Sequence, residues 1–234
     1  LTTRRLGEEG ADEPWHRVAG LPTGDRAKNL ETAIACFTRA LEVRTKAAFP
    51  ADWAGTQTNF GVAWAELPIG DRAKNLQTAI DCYTRALEVY TKADFPAAWS
   101  ATQNNLGTAW QSLPTGDRAK NLQNAIDCYT RALEVRTKSD FPADWAATQN
   151  NLAIALGTLA DEPTLPAGQD RCGLLRRAIA CGKGALTIRT PDAFPREHAS
   201  TMKNLSIDRR AYEAGEGADP AKGGVPFDDI PPAE

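Results

Sequence analysis

The chain has 234 residues, 42% of them hydrophobic and 24% charged, with a formal net charge of −3 and a pI near 5.6. That balance is ordinary for a globular protein and leaves no basic footprint, which argues against nucleic acid as a partner. No run of about 18 apolar residues occurs, so no membrane-spanning helix is expected, and the opening LTTRRLGEEGADEP lacks the apolar middle of a signal peptide.

Residues 1–20, with Gly7, Gly10, Pro14 and Gly20, read as a leader whose Trp15–Val18 piece forms a turn of helix covering the first repeat. From Leu21 the chain repeats itself. LPTGDRAKNLETAIACFTRALEVRTKAAFPADWAGTQTNF begins at Leu21, LPIGDRAKNLQTAIDCYTRALEVYTKADFPAAWSATQNNL at Leu67 and LPTGDRAKNLQNAIDCYTRALEVRTKSDFPADWAATQNNL at Leu113, a period of 46 residues. A worn fourth copy, displaced by 53 residues, keeps LPAGQDR from Leu165, AIACGKGAL from Ala178, AFP at Ala193 and NL at Asn204. Self-similarity at a fixed period in this range marks a solenoid, in which each unit finishes its core on its neighbours.

Each copy holds two helical patterns. In the first, Asp117 follows the breakers Pro114 and Gly116 and stands where an N-cap belongs. Leu122, Ile126, Tyr129 and Leu133 then form one apolar stripe, and Ala125, Cys128, Ala132 and Val135 form a small-residue seam beside it. Lys120, Asp127, Arg131 and Glu134 lie on the solvated side, with Asp127 and Arg131 spaced for an i,i+4 ion pair. The pattern predicts a helix from Arg118 to about Lys138.

The second pattern opens at Phe95-Pro96, with proline where a missing N–H costs nothing, and predicts a helix from Pro96 to about Ser112. Its stripe is Trp99, Gln103, Leu106 and Trp110. Next to it runs a strip of short side chains, Ala98, Ala101, Asn105, Thr108 and Ser112, suited to a close helix contact or to the wall of a groove. Two such antiparallel helices form an αα-hairpin that cannot bury both of its faces alone.

In the fourth copy Leu156 and Gly157 replace Trp110 and Gln111, DEPTLPAGQ lengthens the loop, and Gly182 and Gly184 each weaken a helix by about 1 kcal/mol relative to Ala. Such divergence suits a capping unit, closed by a helix from about Pro195 to Ala214. The tail EAGEGADPAKGGVPFDDIPPAE, residues 213–234, reads as linker or disorder.

These residues resemble the tetratricopeptide repeat family. Its Leu-Gly-x-x-aromatic pattern in the first helix, then Ala-x-x-x-aromatic-x-x-Ala-Leu in the second, is matched by Leu106, Gly107 and Trp110 with Ala125, Tyr129, Ala132 and Leu133. Phe60, Gly61 and Trp64 with Ala79, Tyr83, Ala86 and Leu87 match it again. The resemblance implies an all-α, αα-hairpin solenoid with a right-handed superhelix over residues 21–212. In that register an orphan second helix occupies 21–48, whole units occupy 49–94, 95–140 and 141–192, and a capping helix occupies 193–212. The family's usual unit is about a dozen residues shorter, with part of the excess here falling in the connection from first to second helix. Gln57, Gln103 and Gln149 stand where the family carries bulk. Extended repeats of this type look like those of bacterial signalling proteins, where such arrays accompany caspase-like peptidase domains or signalling ATPases.

The strongest site candidate is the ladder Asn59, Asn105, Asn151 and Asn204, one per unit on the small-residue strip, with Thr108 beside it. A carboxamide offers donor and acceptor together, so a row of them can pair with a peptide backbone without reading its side chains. The resemblance implies that asparagines at this position line a concave peptide-binding face; the alternative is that they bond between helices and set superhelical pitch. The next row, Asn104, Asn150 and Lys203, is expected to point farther from the core, with Lys203 a candidate charge clamp. Trp53, Trp99, Trp145, Trp64 and Trp110 fall on core stripes. Cys36, Cys82, Cys128 and Cys181 recur too far apart for a zinc knuckle, and these, with Cys172, read as free thiols, those of the seam small and buried. His16 and His198 belong to no metal or triad pattern. The GDRAKN starts at Gly24, Gly70 and Gly116 are loop-and-cap elements or anion sites, but not P-loops. VPFDDIPP is a candidate linear motif or an occupant of the protein's own groove.

The expectation is therefore a cytoplasmic, non-enzymatic binding module with no cofactor and no metal, whose partner is a peptide or protein segment rather than nucleic acid or membrane. A self-assembling module, a homo-oligomer joined through its repeat ends, is the alternative.

Overall fold

The computed structural model describes residues 25–215 and 224–234. The leader, its Trp15–Val18 turn and His16 lie outside the described residues. Among those described, eight α-helices and no strand occur: α1 (Arg26–Val43), α2 (Pro50–Glu66), α3 (Arg72–Ala86), α4 (Pro96–Ser112), α5 (Arg118–Leu133), α6 (Pro142–Ala160), α7 (Arg171–Leu186) and α8 (Pro195–Ala214), followed by a 3-10 turn at Phe227–Asp229. None is long and apolar enough to cross a membrane.

The repeated text produces repeated caps. Asp71 accepts from the amides of Ala73 and Lys74 at the start of α3, and Asp117 from that of Lys120 at the start of α5. Before each, Gly70 and Gly116 adopt φ of 79° and 83°, a left-handed turn that glycine enters without Cβ strain. Asn75 and Asn121, both buried, lock that turn by donating from Nδ2 to the carbonyl oxygens of Ile69 and Thr115 at 2.8 Å. Proline fills the first position of α2, α4, α6 and α8, each time after a phenylalanine.

The chain divides into two compact units, one ending at Val89 and the other beginning at Tyr90. In the first, α2 packs against both α1 and α3. Leu30, Ala33 and Phe37 of α1 meet Ala63 and Leu67, and the rings of Phe37 and Phe60 lie 6.1 Å apart. In the second, α4 through α8 pack in succession, and α6 also touches α4 and α8. Their core joins Leu122, Ile126 and Tyr129 to Leu152, Leu156, Leu175, Ile179 and Tyr212. Burying one such side chain stabilises the fold by roughly 1.5–3 kcal/mol.

Glycines let the paired helices close in. A Cβ on Gly61 would stand 2.7 Å from the Tyr83 ring, and one on Gly107 would stand 2.8 Å from that of Tyr129. In the worn copy the sizes are exchanged: Ala153 takes the place of Gly107, and Gly182 that of Tyr129. The space over Gly182 is filled from α8, by Leu205 at 3.3 Å.

Several expectations change. The helix predicted to reach Lys138 stops at Leu133, because Thr137 starts a local turn, its hydroxyl accepting from the Asp140 amide and donating to the Asp140 carboxylate. The connection from the second helix to the next unit, residues 134–141, is longer than the one at 113–117 and takes up more of the excess. Asp127 accepts from Gln123 at 2.8 Å instead of pairing with Arg131. Of the tryptophans placed on core stripes only Trp145 is fully buried; Trp53, Trp64, Trp99 and Trp110 are half-buried. Cys36 is exposed, whereas Cys82, Cys128 and Cys181 are buried.

Residues 224–234, expected as linker or disorder, are ordered against α7 and α8. Ile230 is buried, the Ala233 amide donates to the Ala180 carbonyl oxygen at 2.8 Å, and the Tyr212 hydroxyl donates to that of Val225 at 2.9 Å.

Candidate functional site

The first helices of the units, α4, α6 and α8 in the second compact unit, stand side by side and carry the asparagine ladder at equivalent turns. Asn105, Asn151 and Asn204 there, and Asn59 on α2, are each half-buried. Asn151 donates from Nδ2 to Asn104 Oδ1 at 3.4 Å, across from α6 to α4. The carboxamides of Asn105 and Asn204 make no hydrogen bond among the described residues. One rung of the ladder thus ties helices together, and the other three, Asn59, Asn105 and Asn204, are half-buried without a hydrogen-bond partner among the described residues.

The neighbouring row differs from the expectation that it points away from the core. Asn104 is half-buried, and its Oδ1 also accepts from Thr148 at 3.3 Å. Asn150 is 7% exposed and buries its Oδ1 without a partner; Lys203 alone of the three is exposed. Thr108 is exposed, donates to the Asn104 main-chain carbonyl oxygen at 3.1 Å and lies 3.2 Å from the hydroxyl of Tyr129, which itself donates to Gln111 Oε1 at 2.9 Å. Asn151 of the strip thus makes a close helix contact with Asn104 of the neighbouring row, while Asn105 and Asn204 have no hydrogen-bond partner among the described residues.

Behind this face lies a recurrent tie. Buried Arg136 donates to Thr148 Oγ1 at 3.0 Å and Arg189 to Thr201 Oγ1 at 3.0 Å, fastening each connection to the helix after it. Arg136, Thr148, Asn104 and Asn151 form one hydrogen-bonded chain, so the position of Asn104 is set from the far side of α6. Gln103 and Gln149 bury their Oε1 atoms unpaired.

The other candidates are structural. The first-turn amides at GDRAKN are taken by the Asp side chains that precede them, which leaves the anion reading without free donors at Ala73, Lys74 and Lys120. Burial pushes the thiols of Cys82, Cys128 and Cys181 up to about 11, 12 and 12, away from the nucleophilic thiolate. His198 is half-buried, its Nδ1–H donating to the Arg189 carbonyl oxygen at 2.6 Å. Among the described residues no three His, Cys, Asp or Glu side chains gather as a metal site.

A second polar cluster holds the VPFDDIPP stretch, on α7 rather than on the first helices that carry the asparagine ladder. Lys183 of α7 points at the tail, donating from Nζ to the carbonyl oxygens of Phe227 at 2.6 Å and Ile230 at 2.9 Å. The Phe227 ring lies between Lys183 Nζ at 4.3 Å and the Arg209 guanidinium at 4.4 Å. Its signal is present in the worn copy, where Ala180, Lys183 and Gly184 replace Asp127, Thr130 and Arg131 of the solvated face.

No family model matches the chain, and no curated protein matches it at a significant level.

Proposed function

We propose that the chain is a binding module without bond-making chemistry, a tetratricopeptide-like right-handed solenoid whose first helices hold an extended peptide or protein segment. What supports the reading above all is the pair Asn105 and Asn204, half-buried carboxamides with no partner among the described residues, on the two helices, α4 and α8, that flank α6. Each can donate to and accept from a peptide backbone at once. Thr108 lies on the strip and Lys203 in the row beside it, both exposed, and Lys203 supplies a cation for an acidic group on the ligand. A bacterial signalling protein, working in the cytoplasm, is the setting that the repeat type favours.

The test is selection of peptides from a random displayed library on the full chain, then measurement of the winners on a chain carrying both Asn105→Ala and Asn204→Ala. Loss of affinity by more than about tenfold, about 1.4 kcal/mol, with an unchanged thermal transition supports the reading; equal affinity refutes it.

A second reading, assembly through the ends of the repeats, is favoured by α8. Met202 is 46% exposed at the position where Gln103 and Gln149 are 4% exposed, and Ile207 of the same helix is 47% exposed. An apolar side chain on this otherwise polar helix suits an end that meets a second copy. Light scattering over a concentration series separates the two: a mass that rises with concentration and falls in Met202→Glu supports assembly.

A further inference from the structure

We infer that the outer face of α7, with the last turns of α8, is a docking site for an acidic, proline-flanked peptide that makes a single 3-10 turn, and that residues 224–234 are its resident intramolecular ligand. This site is distinct from the asparagine strip and does not depend on it.

The face is cut to take a backbone. In α5 the equivalent positions are Asp127, Thr130 and Arg131, all exposed to solvent. In α7 they are Ala180, Lys183 and Gly184. Gly184 leaves the gap: a Cβ there would stand 2.8 Å from the Ala233 carbonyl oxygen and 3.2 Å from its amide nitrogen. Ala180 offers its carbonyl to the Ala233 amide, and Lys183 gathers the carbonyls of Phe227 and Ile230, with that of Asp228 at 3.5 Å. These contacts read a main chain, so any segment of the same shape can make them.

Two further features select among segments. Ile230 is buried against the second unit's core, and the Phe227 ring is clasped between two cations. Charge does the rest. The helix RCGLLRRAIACGKGAL carries Arg171, Arg176, Arg177 and Lys183 and no acid, while GVPFDDIPPAE carries Asp228, Asp229 and Glu234 and no base. Prolines at 226, 231 and 232 bracket the 3-10 turn at Phe227–Asp229 and fix φ at three positions, which lowers the entropy lost on docking. A ligand in trans needs an aromatic residue, then acids, then an aliphatic residue three after the aromatic. It must displace the tail, whose tether gives an effective concentration on the order of millimolar.

The probe is a fluorescein-labelled peptide of residues 224–234, titrated by anisotropy into the full chain, into the full chain carrying Phe227→Ala and Ile230→Ala, and into that released chain with Lys183→Ala added. The released chain should bind at least about tenfold more tightly than the wild type, and Lys183→Ala should remove that gain. A released chain that keeps its helical circular dichroism and does not bind, or binds a scrambled peptide equally, overturns the inference. Should the release variant unfold, the wild-type chain decides: millimolar peptide should accelerate hydrogen exchange across residues 224–234, and unchanged exchange overturns the inference.

Discussion

The carboxylate of Asp208 is seated directly on Gly157, where α8 crosses α6, so closely that no Cβ fits at 157. Asp208 is 7% exposed, and burial, with the nearby Asp161 charge, pushes its carboxyl up to about 7. Its folded pKa thus lies above its unfolded value near 3.9, so between those two values the folded state holds a proton that the unfolded state has lost. Stability should fall as pH rises from about 4 to about 7, and level off above. Asp208→Asn should flatten this slope and raise the denaturation midpoint at pH 8 while changing little at pH 4, each tenfold difference in proton affinity between the two states being worth about 1.4 kcal/mol. Urea titrations of both proteins across that range check it.

The tight approach of α4 to α5 gives a second expectation. Gly107→Ala gains up to about 1 kcal/mol of helix propensity, yet it drives a methyl group into the buried ring of Tyr129. Overpacking of this kind costs about 1–3 kcal/mol, so the variant should be net destabilised. Gly107→Ala with Tyr129→Leu should recover part of the loss, as read by chemical denaturation.

Loss of a cap should be felt locally. Asp117→Ala removes the acceptor for the Lys120 amide at 3.0 Å and should cost about 1 kcal/mol. Asp117→Asn should cost much less. Amide exchange in the first turn of α5 should rise in the alanine variant alone.

The thiols should sort by cover. Cys36 is exposed and Cys172 half-buried, while burial holds the other three protonated. A colourless disulfide reagent at pH 8 should label Cys36 first and Cys172 next, and should reach Cys82, Cys128 and Cys181 only on adding denaturant. Equal rates for Cys36 and Cys128 would contradict the packing of α5.

Most of the helical plan is legible in the repeats, because cap, proline and apolar spacing recur together and agree. The starts of α2, α3, α4 and α5 fall where Pro50, Asp71, Pro96 and Asp117 put them. The end of α5 is less legible: Leu133 to Lys138 keeps a helical pattern, and the turn that replaces it is closed by the Asp140 amide on the Thr137 hydroxyl and by the Phe141 amide on the Thr137 carbonyl oxygen. The site is legible as far as periodicity reaches. Equivalent positions promise equivalent surroundings, yet Asn104 and Asn150 are drawn inward, Asn104 through its bonds with Thr148 and Asn151. The order of the tail is hidden because its composition is that of a linker. What orders it is on α7, at Gly184 and Lys183, where a propensity scale sees only a weakened helix.

The exchange of sizes between Gly107 and Tyr129 on one side, and Ala153 and Gly182 on the other, bears on how the chain finds its own register. Tyr83 and Tyr129 each fit the notch of either Gly61 or Gly107, so a newly made chain can seat one repeat against the wrong neighbour at little energetic loss. Ala153 rejects both tyrosines, and Gly182 would leave a hole against either glycine. The least regular copy is thus the one that tells the others which is which.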